Sequence, residues 1–397
     1  MGTQAREIIR ALPEARVHAR EAACRSWATV DLSVLAANVR LVRSLVGPRC
    51  GVGAVVKANA YGHGAVPVAR AAVGAGASAL VVANAHEGVE LRQAGIRCPI
   101  IVIGASFAQD AEAVVAHDLG AVVSPPEFLE ALAAAAARYQ RPARAHLMLD
   151  LGMRRAGLGW DDAVEVARRL AETPWVDLEG VASHFPTADE IGSRYSEEVV
   201  ARFAGFCAVV RGLGLKPRYV HLANSAGLLR FRAAHFNLVR AGIMLYGMAP
   251  SVELAGAAPW RPVLEWRTRV VCLREVAAGT PVGYGHTWRA ERASRLATLP
   301  VGYYDGYLRA YSNNAEVLIQ GQRAPVVGRV SMDYTVVDVT DVPGVEVGDV
   351  ATLLGRDGGE AITAEELARR RGTIPYEVTC AIGPRVRRVY VETEGVA

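Results

Sequence analysis

Lys57 is the first residue of this sequence whose type and position suggest chemistry. It ends the apolar run Gly51-Val-Gly-Ala-Val-Val-Lys57 and precedes Ala58-Asn-Ala-Tyr-Gly-His-Gly64. The valines favour a strand and the following glycines favour a turn, so the pattern predicts a lysine at the carboxyl end of a buried strand. Such a lysine often extends to the surface, but a buried ammonium must be paired, neutralised or used chemically. Tyr61 and His63 on the same glycine-flanked loop favour a chemical role.

Further polar side chains recur at the ends of later predicted strands. They are Arg155, His184, His221, Asn224, Ser225 and Arg240. Singly, such a histidine is more often a satisfied core residue, and such an arginine is usually an ion-pair partner. Together they fit one rim of a barrel, where the reactive groups of barrel enzymes lie. The histidine spacings match no metal-binding set and no carboxylate joins them, so we expect no metal.

The segment His221-Leu-Ala-Asn-Ser225-Ala-Gly suits a phosphate group. It offers a hydroxyl and backbone amides at a strand-to-helix turn, where the helix dipole favours an anion. Gly242, two residues after Arg240, allows close approach of the backbone to the same anion. A lysine near a phosphate site in a barrel suggests pyridoxal phosphate held as a Schiff base. The Gly-x-Gly at 51–53 is a weak nucleotide signal, because it precedes the turn and lacks a third glycine.

The elements that must position these residues alternate between strands and helices. Eight predicted strands are Ala54–Lys57, Ala79–Val82, Ile100–Gly104, Ala121–Ser124, Ala145–Leu149, Leu178–Ser183, Tyr219–Leu222 and Leu238–Ala241. Helical segments between them include Ala65–Val73, Glu87–Ala94, Glu127–Tyr139, Asp161–Ala171 and Glu197–Leu213. An open doubly wound sheet also fits this alternation. The count of eight and the polar groups at several strand ends favour a (β/α)8 barrel.

A different pattern begins after Pro262. The later strands are predicted at Val263–Val276, Arg295–Val301, Glu316–Ile319, Ala324–Val330, Thr335–Val339 and Asp349–Leu354. One helix, Thr363–Arg371, begins with a capping-box pair, Thr363 and Glu366. We therefore expect an N-terminal extension over 1–26, a barrel over 27–262 and a mostly β C-terminal domain over 263–397.

Composition limits the classes of protein to consider. The chain has 397 residues, which suggests two domains, and its net charge of +4 with no basic block disfavours a nucleic-acid partner. Its six cysteines form no Cys-x-x-Cys pair, which favours thiols in a reducing compartment. We expect no membrane span and, because the first 26 residues lack an apolar signal core, a cytoplasmic protein.

The cofactor-lysine motif of bacterial alanine racemases resembles Ala54-Val-Val-Lys57-Ala-Asn-Ala-Tyr-Gly-His-Gly64. The similarity continues in family order over about residues 26–392. Its further motifs are Asp150-Leu-Gly-Met-Arg-Arg155, His184-Phe-Pro-Thr-Ala-Asp-Glu190, His221-Leu-Ala-Asn-Ser-Ala226, Val239-Arg240-Ala-Gly-Ile, Val282-Gly-Tyr284-Gly, Gly302-Tyr-Tyr-Asp-Gly306, Gly328-Arg-Val-Ser-Met332-Asp333 and Thr373-Ile-Pro-Tyr376-Glu.

The resemblance implies a (β/α)8 barrel with a β-rich C-terminal domain, in a head-to-tail homodimer whose active sites are shared between subunits. Lys57 would carry pyridoxal 5'-phosphate, and the partner subunit's Tyr284 would reach it. The other implied roles are substrate-carboxylate binding by Arg155 and the Met332 amide, phosphate binding by Ser225, Gly242, Ile243 and Tyr376, packing at the cofactor by Tyr61, His184, His221 and Arg240, and narrowing of the entrance by Tyr303.

Racemisation requires an acid/base group on each face of the substrate's Cα, and the resemblance assigns Lys57 and Tyr284. A tyrosine with its ordinary pKa of about 10 is a poor base, so Tyr284 needs a positive neighbourhood. In the family His184 links it to Arg240. An arginine at the cofactor's ring nitrogen leaves that nitrogen neutral, which limits side reactions.

Two positions depart from the family pattern. Many members have a carbamylated lysine where this chain has Met148, and that lysine braces the arginine at 155. Position 154, usually glycine, is an arginine here. Methionine cannot be carbamylated, so a bound anion such as chloride replaces the brace or the substrate specificity differs.

The leading reading is an alanine racemase that supplies D-alanine for peptidoglycan. A broad-specificity amino-acid racemase on the same scaffold is the nearest alternative. A decarboxylase of the same barrel type fits less well, because those enzymes pair the ring nitrogen with an acidic residue. A non-catalytic cofactor-binding protein would lack the second domain with Tyr284 and Met332.

Overall fold

The computed structural model describes residues 24–393, which form two compact units. The barrel unit contains residues 35–60 and 65–260, and the β-rich unit contains 24–34, 61–64 and 261–393. The predicted extension over 1–26 lies outside the described residues apart from its last three. Within the described part of the chain, no helix is long and apolar enough to cross a membrane.

Eight parallel strands of the described chain form the sheet of the barrel unit. Numbered one to eight in chain order, they are Gly51–Val55, Ala79–Val82, Ile100–Val102, Gly120–Val123, Ala143–Met148, Val176–Ala182, Tyr219–His221 and Leu238–Ala241. Each pairs with the next up to strand seven, and strand eight pairs with strand one. Strands seven and eight are joined where the Arg240 amide donates to the Ala223 carbonyl at 2.9 Å. The predicted barrel is therefore confirmed, and the open sheet is excluded.

The local sequence explains these elements. The barrel strands are short apolar runs buried on both faces, as in parallel sheets covered by helices. Pro126 begins one helix at a position where its missing N–H costs nothing, and Asn84 caps another. The barrel helices are Leu32–Val46, Ala65–Gly74, Ala85–Gln93, Ala111–Ala116, Pro126–Tyr139, Trp160–Glu172, Tyr195–Gly212 and Ser225–Arg230.

The β-rich unit is built on a mixed sheet. Its strands, in spatial order, are Gln322–Pro325, Glu316–Ile319, Val350–Asp357, Leu264–Arg269, Ser26–Asp31 and Arg387–Val391, with Glu360–Ile362 paired to Val350–Asp357. Smaller sheets contain Cys272–Val276, Ser294–Leu299 and Thr335–Asp338, and Pro281–Val282 with Trp288–Arg289. Its two α-helices are Ala364–Arg371 and Pro375–Cys380. The Thr363 side chain accepts from the Glu366 amide, as the predicted helix start requires.

The strand predicted at Val263–Val276 is two strands, Leu264–Arg269 and Cys272–Val276, and the structure differs from the prediction at two further places in this unit. Ser26–Asp31 pairs with Leu264–Arg269 and Arg387–Val391, so residues 27–34, which the prediction placed in the barrel, lie in the β-rich unit. The strand predicted at Ala324–Val330 ends at Pro325, because Gln322–Pro325 folds back on Glu316–Ile319 as a hairpin through Gly321. Both differences arise from pairing partners that are distant or offset in sequence.

Candidate active site

Lys57 lies two residues beyond barrel strand one and begins a left-handed turn. The strand ends at Val55, whereas the sequence prediction extended it to the lysine. Four consecutive residues that are not glycine, 58 to 61, have φ values of 52° or 53°. L-residues pay about 1–2 kcal/mol each in this region, so the surroundings must hold the turn. Strain of this kind is common where a structure fixes a reactive side chain.

Glu87 supplies part of that support within the barrel unit. Its carboxylate accepts from the Ala58 amide at 2.7 Å and from the Ala83 amide at 2.7 Å. The Asn59 side chain also accepts from the Ala65 amide at 2.8 Å. Sequence reasoning missed Glu87. The available signal was its position three residues after Asn84, which is the spacing of a helix-start carboxylate.

Four of the predicted site residues influence one another in the barrel unit. His184 lies after strand six, and its Nδ1 is 3.1 Å from Nη2 of Arg240. Burial and the positive charges of Arg240, Arg155 and Lys57 lower the pKa of His184 to about 3. His184 is therefore neutral at pH 7 and accepts the proton of Arg240 at Nδ1. The predicted grouping of these residues at one rim agrees with this shared electrostatic field.

Arg240 is buried in strand eight without a carboxylate in direct contact among the interactions described for it. Its Nη1 donates to Nδ1 of His221 at 2.8 Å, and its Nη2 donates to the Ser183 carbonyl at 2.7 Å. Burial lowers the pKa of Arg240 to about 10, so the guanidinium remains charged at neutral pH. A buried positive charge with no carboxylate in direct contact needs a compensating negative charge elsewhere in the surrounding network.

A line of side chains continues from His221 into the barrel interior. Nε2 of His221 lies 3.0 Å from Nδ1 of His146, and Nε2 of His146 lies 3.1 Å from Oε2 of Glu179. Burial raises the pKa of Glu179, but the hydrogen bond from His146 and the charge of Arg144 outweigh it, so that pKa lies below its ordinary value. Sequence reasoning missed His146 and Glu179, whose only signal was a polar residue inside an apolar strand.

The structure brings Ser225 and Gly242 of the predicted phosphate site together, next to the helix cap at Asn224. The Asn224 side chain accepts from the Gly227 amide at 2.8 Å and so caps the helix that begins at Ser225. The Gly242 amide donates to the Ser225 hydroxyl at 3.0 Å, and Ile243 follows as the start of a buried turn. The hydroxyl proton of Ser225 is left to donate to an anion. A hydroxyl donor at the start of a helix is compatible with the phosphate of a monoester, while the Gly242 amide positions that hydroxyl.

Arg155 follows strand five on a loop shaped by Asp150. The Asp150 carboxylate accepts from the Arg155 amide at 3.1 Å and from the Gly152 amide at 2.8 Å. Arg154 has a φ of 53°, a conformation that glycine adopts more readily than an L-residue does. Met148 packs in an apolar cluster with Val122 and Ala182.

The remaining predicted cofactor residues lie in the β-rich unit. The rings of Tyr61 and Tyr376 are 5.8 Å apart. Burial raises the pKa of the Tyr61 hydroxyl well above its ordinary value, so it stays protonated. A Cβ at Gly62 would lie 2.2 Å from the Thr379 carbonyl, so glycine is required beside Tyr61 for this packing.

Tyr284, Tyr303 and Met332 lie on connected loops of the β-rich unit and all are exposed, Tyr284 by 72% and Met332 by 50%. The Tyr303 amide donates to the Ser331 carbonyl at 3.0 Å. A Cβ at Gly302 would lie 2.3 Å from the same oxygen, so this close approach needs glycine.

Arg385 holds these loops and was not identified from the sequence. It pairs with Asp305 at 2.7 Å and with Asp333 at 2.7 Å. Asp305 also accepts from the Gly302 amide at 2.9 Å, so one arginine ties the Tyr303 loop to the residue after Met332. These two carboxylates, 28 positions apart in sequence, gave no local signal.

No group of three His, Cys, Asp or Glu side chains that could hold a metal occurs in residues 24–393. Besides Tyr61 and Tyr376, the predicted site residues thus include a basic set in the barrel unit, of which His221 and Arg240 are buried, and an exposed aromatic set with Met332 in the β-rich unit.

Comparisons with known proteins cover almost the whole chain. Models of the alanine racemase N-terminal and C-terminal domains match residues 30–250 and 263–390. An alanine racemase of Symbiobacterium thermophilum is 45% identical over 366 residues, which are 92% of this chain and 97% of the relative.

Solved structures agree with the sequence relatives. The alanine racemase of D-cycloserine-producing Streptomyces lavendulae is 38% identical with a TM-score of 0.89, covering 93% of this chain and 98% of that chain. The alanine racemase of Bartonella henselae, solved with covalently bound pyridoxal phosphate, is 28% identical with a TM-score of 0.82, covering 93% and 100%.

Proposed function

The chain belongs to the alanine racemase family and is an isomerase, and from this membership we propose that it interconverts L-alanine and D-alanine with pyridoxal 5'-phosphate as cofactor. The observation that carries the proposal is the shared positive field of Lys57, Arg155 and Arg240 around a neutral His184. An anionic cofactor and an anionic amino-acid carboxylate are the ligands that such a field favours.

The residues of the barrel unit fit pyridoxal phosphate. Lys57 would hold the cofactor covalently, and Ser225, Gly242 and Ile243 would hold its phosphate together with Tyr376. His221 would support Arg240 at the cofactor ring, and Tyr61 would pack near it. When bound, pyridoxal phosphate draws electrons from the Cα–H bond of the amino acid and so makes that proton removable.

Two residues would move the proton. The Nζ of Lys57 serves one face of Cα, and the hydroxyl oxygen of Tyr284 serves the other, so removal on one face and return on the other inverts the centre. Arg155 and the Met332 amide would hold the substrate carboxylate and fix Cα between the two bases. Tyr303 would narrow the entrance and exclude larger amino acids.

His184 and Arg240 would set the charge on both reacting partners. The neutral His184 accepts from Arg240 at Nδ1, which would leave its Nε2–H to donate to the oxygen of Tyr284. Because Arg240 can only donate, the ring nitrogen of the bound cofactor would carry no proton beside it. That would favour reversible proton transfer over side reactions.

We propose that two copies form a head-to-tail homodimer with shared active sites. The support is the exposure of the aromatic set, since Tyr284, Tyr303, Tyr304, Met332 and Tyr334 are each exposed by 39–72%. Exposed apolar groups in one patch are typical of interaction surfaces. The partner subunit would then supply Tyr284 and Met332 to each barrel.

The physiological role we propose is supply of D-alanine for peptidoglycan in the cytoplasm. The six cysteines are free thiols, which fits a reducing compartment. The substrate range is a separate question. Met148 and Arg154 change the surroundings of Arg155, so a broad-specificity amino-acid racemase is the alternative.

The test is racemisation by the purified protein. With L-alanine and pyridoxal phosphate, chiral chromatography should detect D-alanine approaching an equal mixture, and Lys57→Ala should give none. Absence of turnover by the wild-type protein with bound cofactor would refute the proposal. A panel of other amino acids at matched concentration tests specificity, since rates within tenfold of alanine for larger side chains would favour the alternative.

A further inference from the structure

The polar line inside the barrel has a fixed direction of donation. A guanidinium can only donate, so Nδ1 of His221 must accept from Arg240. The proton of His221 therefore resides on Nε2 and is donated to Nδ1 of His146. The proton of His146 then resides on Nε2 and is donated to Glu179. One donor at Arg240 thus determines the tautomers of two histidines.

The opposite arrangement is excluded by the same contacts. If His146 carried protons on both nitrogens, Nε2 of His221 would have to accept, and the His221 proton would move to Nδ1. That proton would then face the N–H of Arg240 at 2.8 Å, with two donors and no acceptor. Burial and the charge of Arg240 also lower the pKa of His221 well below its ordinary value, in agreement with a neutral ring.

The barrel backbone makes room for this line. A Cβ at Gly180 would lie 2.2 Å from Nδ1 of His146, and a Cβ at Gly120 would lie 2.7 Å from Oε2 of Glu179. Neither glycine has a positive φ, so their requirement is purely steric. The register between strands five and six shifts next to His146, leaving Glu179 as the extra residue. Such bulges commonly redirect a side chain beside a functional site.

The line ends in a carboxylate that is nearly inaccessible. His146 and His221 are 0% exposed and Glu179 is 9% exposed. Arg144 lies 3.6 Å from Glu179 and also pairs with Asp118 at 3.0 Å. The negative charge that offsets Arg240 is therefore held two imidazole rings away, which leaves the guanidinium itself surrounded by neutral acceptors.

We propose that Glu179 and His146 are positioning residues for Arg240, acting through His221 to fix its orientation and to keep a carboxylate from direct contact with it. The inference deepens the proposed function, because it rests on Arg240 facing the cofactor ring nitrogen. A carboxylate in direct contact would pair with the guanidinium and occupy its N–H donors, whereas the two-histidine spacer orients it through neutral acceptors. Glu179 and His146 would touch neither cofactor nor substrate.

The first test is independent of activity. With ¹⁵N-labelled histidine in the full-length wild-type protein at neutral pH, the signals of His146 and His221 are assigned by their loss in His146→Gln and His221→Gln. Both should be those of neutral Nε2–H tautomers. A proton on Nδ1 of either ring, or a charged imidazolium, would overturn the proposal. This measurement needs no variant to retain activity.

The second test compares Glu179→Gln with Asp118→Asn in the loaded enzyme. Glutamine keeps an acceptor for His146 but removes the charge, and we expect kcat to fall about 10–100-fold with KM for alanine changed less than about 3-fold, by analogy with other residues that orient a ligand group from behind. Asp118→Asn removes the outer partner of Arg144 and should leave both constants unchanged.

The outcomes separate the two proposals. An active wild-type enzyme with unchanged kcat in Glu179→Gln would overturn the positioning role and leave the racemase assignment intact. An inactive wild-type enzyme would refute the proposed function, while the tautomer spectrum would still decide the arrangement of the line. If Glu179→Gln does not fold, His146→Gln serves in the same comparison.

Discussion

The two sets of predicted site residues differ in how far each compact unit completes them. In the barrel unit, the described contacts of Arg240 are all supplied by neighbours of the same unit, and His184 is already neutral. In the β-rich unit, Tyr284 and Met332 are exposed by 72% and 50%. The barrel set is held by contacts within its own unit, whereas the side chains of the aromatic set are exposed to solvent.

This difference indicates where each type of chemistry is fixed. A buried charge loses hydration and must be held by a network that the same unit provides. An exposed tyrosine keeps its hydration in the single chain. Its environment changes only when another surface covers it. The proposed shared site follows from this contrast, because the second base would acquire its positive surroundings on association.

Lys57→Ala should have the largest effect, because it removes both the cofactor attachment and one base. We expect racemisation to fall by about 10⁴-fold or more, measured by chiral chromatography, with the loss of the cofactor's protein-bound absorption. Unchanged circular dichroism would rule out unfolding. Retained activity would contradict the account of the barrel set.

Tyr284→Phe should remove the base of the aromatic set alone. Racemisation should fall by about 10²–10⁴-fold, while the protein-bound absorption of the cofactor remains. Tyr334→Phe, on the same exposed patch, is the matched control and should stay near wild-type activity. Equal losses in both variants would indicate a packing effect and would break the distinction between the two sets.

Arg385→Met should weaken the support of the aromatic set. The change leaves Asp305, which is 2% exposed, without its ion-pair partner. We therefore expect the free energy of unfolding to fall by about 2–3 kcal/mol, somewhat less than the loss typical of fully buried pairs. Chemical denaturation measures this difference. Arg292→Met is the control, since its pair with Asp341 is exposed and should contribute at most about 1 kcal/mol.

Acidification should act on the barrel set. The pKa of His184 is about 3 in the folded protein, below its ordinary value near 6.5, so between these values the unfolded chain binds more protons. The free energy of unfolding should therefore decrease as pH falls from about 6.5 towards 3, by up to about 1.4 kcal/mol per unit from this residue. His184→Gln should have a smaller slope by chemical denaturation, and an unchanged slope would contradict a neutral buried ring.

The sequence predicted the barrel well because its signals were local. Eight apolar runs separated by helical segments appeared at the right places, and Ser225 and Gly242 were grouped correctly from a turn motif and a glycine. The left-handed turn after Lys57 was not predicted, since three of its four residues are alanine or tyrosine, which rarely adopt positive φ.

The missed features depend on distant pairing. Ser26–Asp31 joins the β-rich sheet through partners more than 230 positions away, which no local pattern specifies. Glu179 enters the polar line through a register shift between two strands, and Arg385 connects two carboxylates on separate loops. Such contacts follow from the tertiary fold and not from the residues beside them in sequence.

The most direct test of the shared site uses a hybrid dimer. Lys57→Ala and Tyr284→Phe chains, each with a different affinity tag, are expressed together and purified through both tags. A shared site predicts one intact site per hybrid, with about half the wild-type kcat per dimer, although each parent variant alone is inactive. A purified hybrid as inactive as its parents would contradict the account.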